Sequence, residues 1–152
     1  MSHQLIQQCC KQLRLGHIPK VYSKLNYESK EEYLLTLLQS EIQARASAKI
    51  NRLIKKAGFS QQKTFEDYEL GSAATTFNDS LSFEELKDLV FMERNENIMM
   101  LGSVGTGKTH LAIATGIEAC KNGKNVRFFR VSDLVSILLV KHQNGSFKYR
   151  SS

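Results

Sequence analysis

The run Gly-Ser-Val-Gly-Thr-Gly-Lys-Thr at residues 102–109 constrains this chain more than any other feature. Gly102, Gly107, Lys108 and Thr109 fill every fixed position of the pattern G-x-x-x-x-G-K-[ST], a tight turn that joins a strand to a helix. The flanks fit that geometry. Ile98-Met99-Met100-Leu101 is a short continuous apolar run, as expected of a strand buried on both faces. Leu111, Ala112, Ile113, Ala114 and Ile117 predict a helix from about Lys108 to Asn122, which Gly123 ends. A second strand is predicted over Val126–Val131, with Ser132 as N-cap of a helix through about Lys141. The expected fold class is therefore α/β, the β-α-β start of a parallel sheet of the P-loop NTPase kind, preceded by an α-helical N-terminal region.

The chemistry explains the residue types. A polyphosphate has to be wrapped by main chain, and glycines let the backbone turn without a clashing Cβ, so that unpaired N–H groups converge. Gly102, Ser103, Val104, Gly105, Thr106 and Gly107 are the expected cradle for the phosphates of ATP. Lys108 adds an ammonium for the β- and γ-phosphates, and the Thr109 hydroxyl is the expected Mg²⁺ ligand. The helix that starts there adds its positive end.

Upstream the grammar is helical. A first helix is expected over roughly Ser2–Leu15, ending at Gly16 before the single proline, Pro19. From Ser29 to Lys56, Leu34, Leu38, Ile42, Ala46, Ile50 and Leu53 recur every three or four residues, widened by Leu35 and Ile54, and predict a core-facing stripe. Ser29 and Glu32 have capping-box spacing, and Gly58 supplies the stop. On the same helix Arg45, Lys49, Arg52 and Lys56 are spaced four, three and four apart, the spacing of a phosphate-facing ridge and the candidate DNA-binding residues. Residues 57–81 lack periodicity and read as a connecting segment, anchored by Phe65, Tyr68 and Phe77. Ser82 and Glu85 form a second capping-box pattern, opening a helix to about Arg94.

Charge divides the chain into blocks. Residues 1–64 carry 11 basic and 4 acidic side chains, residues 65–97 carry 2 and 9, and residues 98–152 carry 8 and 2. The expected organisation is a basic helical region for DNA or partner binding at 1–64, a linker and helix at 65–96, and a partial P-loop ATPase core at 97–152. No run of 18 apolar residues exists and the N-terminus lacks signal-peptide order, so a cytoplasmic chain without a membrane partner is expected. Cys9, Cys10 and Cys120 show no metal-site or disulfide-framework spacing and are expected to be reduced thiols.

Gly105-Thr106-Gly107-Lys108-Thr109-His110-Leu111-Ala112-Ile113-Ala114, continuing to Gly116, Glu118, Ala119 and Cys120, resembles the IstB-type transposition helper ATPases, relatives of the DnaC helicase loaders within the AAA+ class. The resemblance extends to Glu93–Asn97, Val126–Phe128 and Ser132–Leu134, and upstream to Tyr33–Leu35, Arg45, Arg52, Lys56 and Lys63–Tyr68. It implies an ATP-dependent, DNA-binding partner of a transposase, whose intact relatives self-associate. His110 looks like a family signature position. Val104 departs from the pattern, since the family often has proline there.

The resembled family continues into a strand that ends in paired acids, then a sensor and an arginine finger. The sequence stops at Ser152, before that point, and Asp133 reads as a helix cap, so a truncated chain with poor ATP hydrolysis is the expectation. Two alternatives stand beside the transposition helper: a DnaC-like helicase loader, and a non-enzymatic fragment that co-assembles with full-length subunits.

Overall fold

The computed structural model describes residues 2–68 and 81–144. Seven helices lie among them: α1 (Ser2–Gln12), α2 (Ile18–Val21), α3 (Lys30–Ala57), α4 (Phe83–Lys87), α5 (Val90–Glu93), α6 (Lys108–Lys121) and α7 (Val131–Gln143). The chain divides into two compact units, Met1–Arg52 and Leu53–Ser152. No helix among the described residues is long and apolar enough to cross a membrane.

In the first unit, α1 ends one turn before Gly16. Arg14 takes the left-handed conformation at φ 56°, and the Leu15 N–H reaches back to the Cys10 carbonyl at 2.7 Å, a Schellman-type closure that needs no glycine. Cys10, Ile18 and Leu37 are buried, with Ile6, Leu15, Val21, Tyr22, Leu25 and Tyr33 packed around them. The face of α3 that is buried here differs from the stripe the sequence predicts. Leu34, Leu35, Leu38 and Ile42 are exposed, whereas Leu37 and Glu41 are covered. The cause is electrostatic: the Glu41 carboxylate accepts from the N–H groups of Gly16 (3.1 Å), His17 (2.7 Å) and Ile18 (3.1 Å), where α2 begins. Those donors have no partner within a one-turn helix, so the carboxylate is drawn inward and Leu37, one turn earlier, goes with it. Burial opposes ionisation of Glu41, but the His17 and Ile18 N–H groups, Arg45 and the Gly16 N–H together hold its pKa below the ordinary carboxylate value. At the start of α3, Glu32 donates its N–H to Ser29 Oγ at 3.1 Å, as the capping pattern predicts.

In the second unit, Phe65, Leu86, Leu111 and Ala114 form the buried core, flanked by Tyr68, Leu81, Phe83, Phe91, Ile98 and Met100. The Ser82–Glu85 capping box is present in both directions, at 3.1 and 2.9 Å. The helix it opens is broken: Leu89 adopts φ 60° and separates α4 from α5. This kink drops Leu89 into the interior, where it is 6% exposed.

The two predicted strands form no ladder among the described residues. Ile98 and Met100 pack on the core while Met99 and Leu101 are 82% and 83% exposed, so one face of that run is covered rather than two. The second segment is engaged elsewhere. The Phe128 N–H donates to the Ala57 carbonyl at 2.8 Å and the Arg127 guanidinium to the Lys56 carbonyl at 2.9 Å, satisfying orphan acceptors at the C-terminal end of α3. Val131, the last residue of the predicted strand, is already helical, and the N-cap of α7 is Arg130 instead of Ser132. Phe128 also meets Phe59, with ring centroids 5.9 Å apart. Gly116 lies beneath Phe59, and a Cβ there would come within 2.7 Å of the ring. Of the predicted linker anchors, Phe65 and Tyr68 pack on this core, and Phe77 lies outside the described residues.

Candidate phosphate-binding site

The loop from Gly102 to Gly107 projects from the second unit, with Val104 fully exposed at its tip. Three of its residues need glycine's freedom: φ is 147° at Gly102, 86° at Gly105 and 79° at Gly107, all in the region that L side chains rarely enter. Space is a second constraint at both ends. A Cβ on Gly102 would sit 3.2 Å from Thr106 Oγ1, and one on Gly107 would sit 2.7 Å from the Tyr68 ring.

The result is a run of backbone donors. Among the described residues, the N–H groups of Gly102 to Gly105 and of Gly107 to His110 meet no backbone acceptor, and the first helical bond of α6 is Leu111 N–H to the Gly107 carbonyl at 2.9 Å. Gly107 is the N-cap and offers no side chain to occupy those donors. Lys108 Nζ donates to the Ser103 carbonyl (2.5 Å) and to Thr106 Oγ1 (3.1 Å), and Thr106 Oγ1 in turn donates to the Ser103 carbonyl at 2.9 Å. The cation is thus held across the mouth of the loop by neutral acceptors. An anionic oxygen at the same place makes a stronger bond with it.

Lys108 and Thr109 also border an open groove of about 470 Å³, whose other walls are Phe91, Ile98, Met100, Ala112, Thr115 and Phe128. The structure thus places the eight residues from Gly102 to Thr109 on one loop and the first turn of α6, with positive φ at Gly102, Gly105 and Gly107 and the Lys108 ammonium on the loop's own Ser103 and Thr106. Thr109 is exposed on the first turn of α6, and its hydroxyl is the hard oxygen donor that suits Mg²⁺. No group of three or more His, Cys, Asp or Glu side chains able to hold a metal occurs among the described residues.

Sequence reasoning missed how the loop is supported from behind. Thr64 and Asp67 close a turn on each other, Thr64 Oγ1 donating to Asp67 Oδ2 at 2.8 Å, and these bonds hold the Asp67 carboxyl below its ordinary pKa. His110 Nε2 donates to the Thr64 carbonyl at 2.8 Å, which fixes the tautomer, because a carbonyl can only accept. Tyr68 stands edge-on to His110, centroids 5.3 Å apart. Nothing local in the sequence signals that residues so far upstream reach the loop. Cys120 is fully buried, and burial pushes its thiol pKa up, with the Val126 N–H opposing, so it is an inert packing group.

The predicted cationic ridge has residues in both units. In the first unit Arg45 is committed, its Nε donating to Glu41 at 2.9 Å and its other end to the Arg14 carbonyl. Lys49 and Arg52 are exposed and enter no ion pair among the described residues. In the second unit Lys56 is exposed near the end of α3.

Comparison with known proteins agrees with the geometry. The chain is 35% identical over 127 residues to an ATP-binding protein named from insertion sequence IS5376 of Geobacillus stearothermophilus, covering 84% of this chain and 50% of that protein. It is 34% identical over 122 residues to an insertion-sequence ATP-binding protein of Mycobacterium tuberculosis, covering 78% and 47%. With the corresponding IS21 protein of Pseudomonas aeruginosa it shares 35% identity over 125 residues, covering 80% and 44%. The chain thus spans about half the length of these relatives. The model of the IstB-like ATP binding protein family matches residues 10–152, and the chain belongs to that family.

Proposed function

We propose that this chain binds ATP with Mg²⁺ at Gly102–Thr109 and serves as a DNA-bound helper of a transposase. The observation that carries the reading is the loop itself: positive-φ glycines, a helix N-terminus whose N–H groups at Lys108, Thr109 and His110 meet no backbone acceptor among the described residues, and a lysine held across the mouth. On binding, Lys108 exchanges the Ser103 carbonyl and Thr106 hydroxyl for phosphate oxygens, the N–H groups and the start of α6 take the rest of the charge, and Thr109 contributes its hydroxyl to the cation. Nothing in this reading requires hydrolysis.

The finer parts rest on other observations. Residues 98–101 are a strand position of a parallel sheet in this reading, supported by the period of two in what covers Ile98 to Leu101. The exposed cations Lys49, Arg52 and Lys56 are proposed to contact DNA phosphates, with Arg45 contributing charge while it is tied to Glu41. Insertion-sequence relatives support a transposase as the partner.

Two assays test the proposal. Saturating Mg-ATP should raise the melting midpoint of the wild-type chain and leave that of Lys108→Ala nearly unmoved. In pull-downs, recovery of a transposase is expected, and recovery of a replicative helicase alone overturns the partner assignment.

A further inference from the structure

The turn at residues 64–68 is fastened at three points, one on the phosphate loop and two on the helix α6 that it opens. Phe65 is 6% exposed and packs in one cluster with Leu111 and Ala114 of α6. His110, the residue after Thr109, donates to the Thr64 carbonyl at 2.8 Å. The Tyr68 ring lies so close to Gly107 that a Cβ at 107 would come within 2.7 Å of Cε2 and 3.2 Å of the hydroxyl. Gly107 is the residue whose left-handed φ of 79° turns the loop into α6, and the next three N–H groups, of Lys108, Thr109 and His110, meet no backbone acceptor among the described residues. The turn also has its own internal bonds: Thr64 N–H to Asp67 Oδ2 and Asp67 N–H to Thr64 Oγ1, both at 3.3 Å, and Tyr68 N–H to the Phe65 carbonyl at 3.2 Å.

From this geometry we infer that residues 64–68 read the occupancy of the phosphate loop, with Tyr68 and His110 as the positioning residues that transmit it. A ring in van der Waals contact with Gly107 and a hydrogen bond from the first turn of α6 leave little freedom for the loop to settle around a phosphate without the turn settling too. The effect is reciprocal: if a bound nucleotide tightens the turn, loosening the turn weakens the nucleotide by the same factor. The inference rests on the nucleotide-binding reading, and the experiment separates the two.

Mg-ADP affinity is measured by titration, and amide exchange of peptides containing residues 64–68 is followed with and without saturating Mg-ADP. Wild type should show slowed exchange there on binding. His110→Ala should bind at least about fivefold more weakly and lose the protection even at saturation, the low end of common coupling strengths. His110→Gln, which keeps an N–H donor for the Thr64 carbonyl, should recover most of both, and Tyr68→Ala should lose the protection as His110→Ala does. A purely structural role for His110 would lower stability in the alanine variant without moving the ADP-dependent difference in exchange. Wild type that binds ADP with unchanged exchange at 64–68 overturns the coupling alone. If wild type binds no ADP, the nucleotide reading falls and the coupling with it.

Discussion

Glu41 is the residue whose removal should cost the first unit most. The residue is 4% exposed and its carboxylate accepts four hydrogen bonds, from the N–H groups of Gly16, His17 and Ile18 and from Arg45 Nε at 2.9 Å. In Glu41→Ala the His17 and Ile18 donors are stranded beside the core, at about 1–3 kcal/mol each. Gly16 can turn to water, and Arg45, with 55% of its side chain exposed, loses a contact worth about 1 kcal/mol at most. Together these amount to an expected loss of about 2–7 kcal/mol. A unit of this size commands roughly 3–8 kcal/mol in total, so the variant should be largely or wholly unfolded there. Glu41→Gln keeps one acceptor oxygen and should lose about half as much. Tyr22, Tyr27 and Tyr33 belong to this unit, the chain has five tyrosines and no tryptophan, and tyrosine fluorescence in urea therefore reports mainly on it. A Glu41→Ala midpoint equivalent to less than about 1 kcal/mol of loss would refute the reasoning.

Further outcomes follow from the same contacts. Because the folded-state pKa of Glu41 is depressed, its stabilisation is complete above the ordinary carboxylate value of 4.5 and fades as pH falls through the lower folded value; Glu41→Gln should flatten the acid limb of the stability profile measured by urea midpoint. Gly116→Ala gains about 1 kcal/mol of helix propensity but drives a Cβ into Phe59, whose repacking costs about 1–3 kcal/mol, so a net loss is expected in chemical denaturation and a gain would contradict the packing. Replacing Lys49 and Arg52 by alanine should weaken binding to duplex DNA and reduce the slope of log affinity against log salt by about 2; an unchanged slope makes them solvated charges only.

The parts of this molecule that were legible in the sequence are those fixed by local chemistry. Gly107, Lys108 and Thr109 announce a loop-to-helix junction because only glycine tolerates that φ, and Ser82 with Glu85 announces its helix start by reciprocal capping. What stayed hidden depends on residues far apart in sequence. The stripe Leu34, Leu38, Ile42 has the right period for a core face, yet Leu37 and Glu41 are the buried positions, since the donors that draw Glu41 inward lie upstream at 16–18. Val126–Phe128 has strand-like composition, but its N–H and guanidinium donors are taken by the end of α3. Tyr68 and His110 read separately as an anchor and a signature residue, and only the fold joins them behind Gly107.

The central claim is that Gly102–Thr109 is a nucleotide cradle in which Lys108 supplies the principal cation. Titration of Mg-ATP into the wild-type chain and into Lys108→Ala, under identical salt, tests it most directly. Loss of one charge-assisted contact of about 1.5–3 kcal/mol should weaken binding by about 10- to 100-fold. Two isotherms that superimpose, or a wild-type chain that takes up no ATP, would contradict the account.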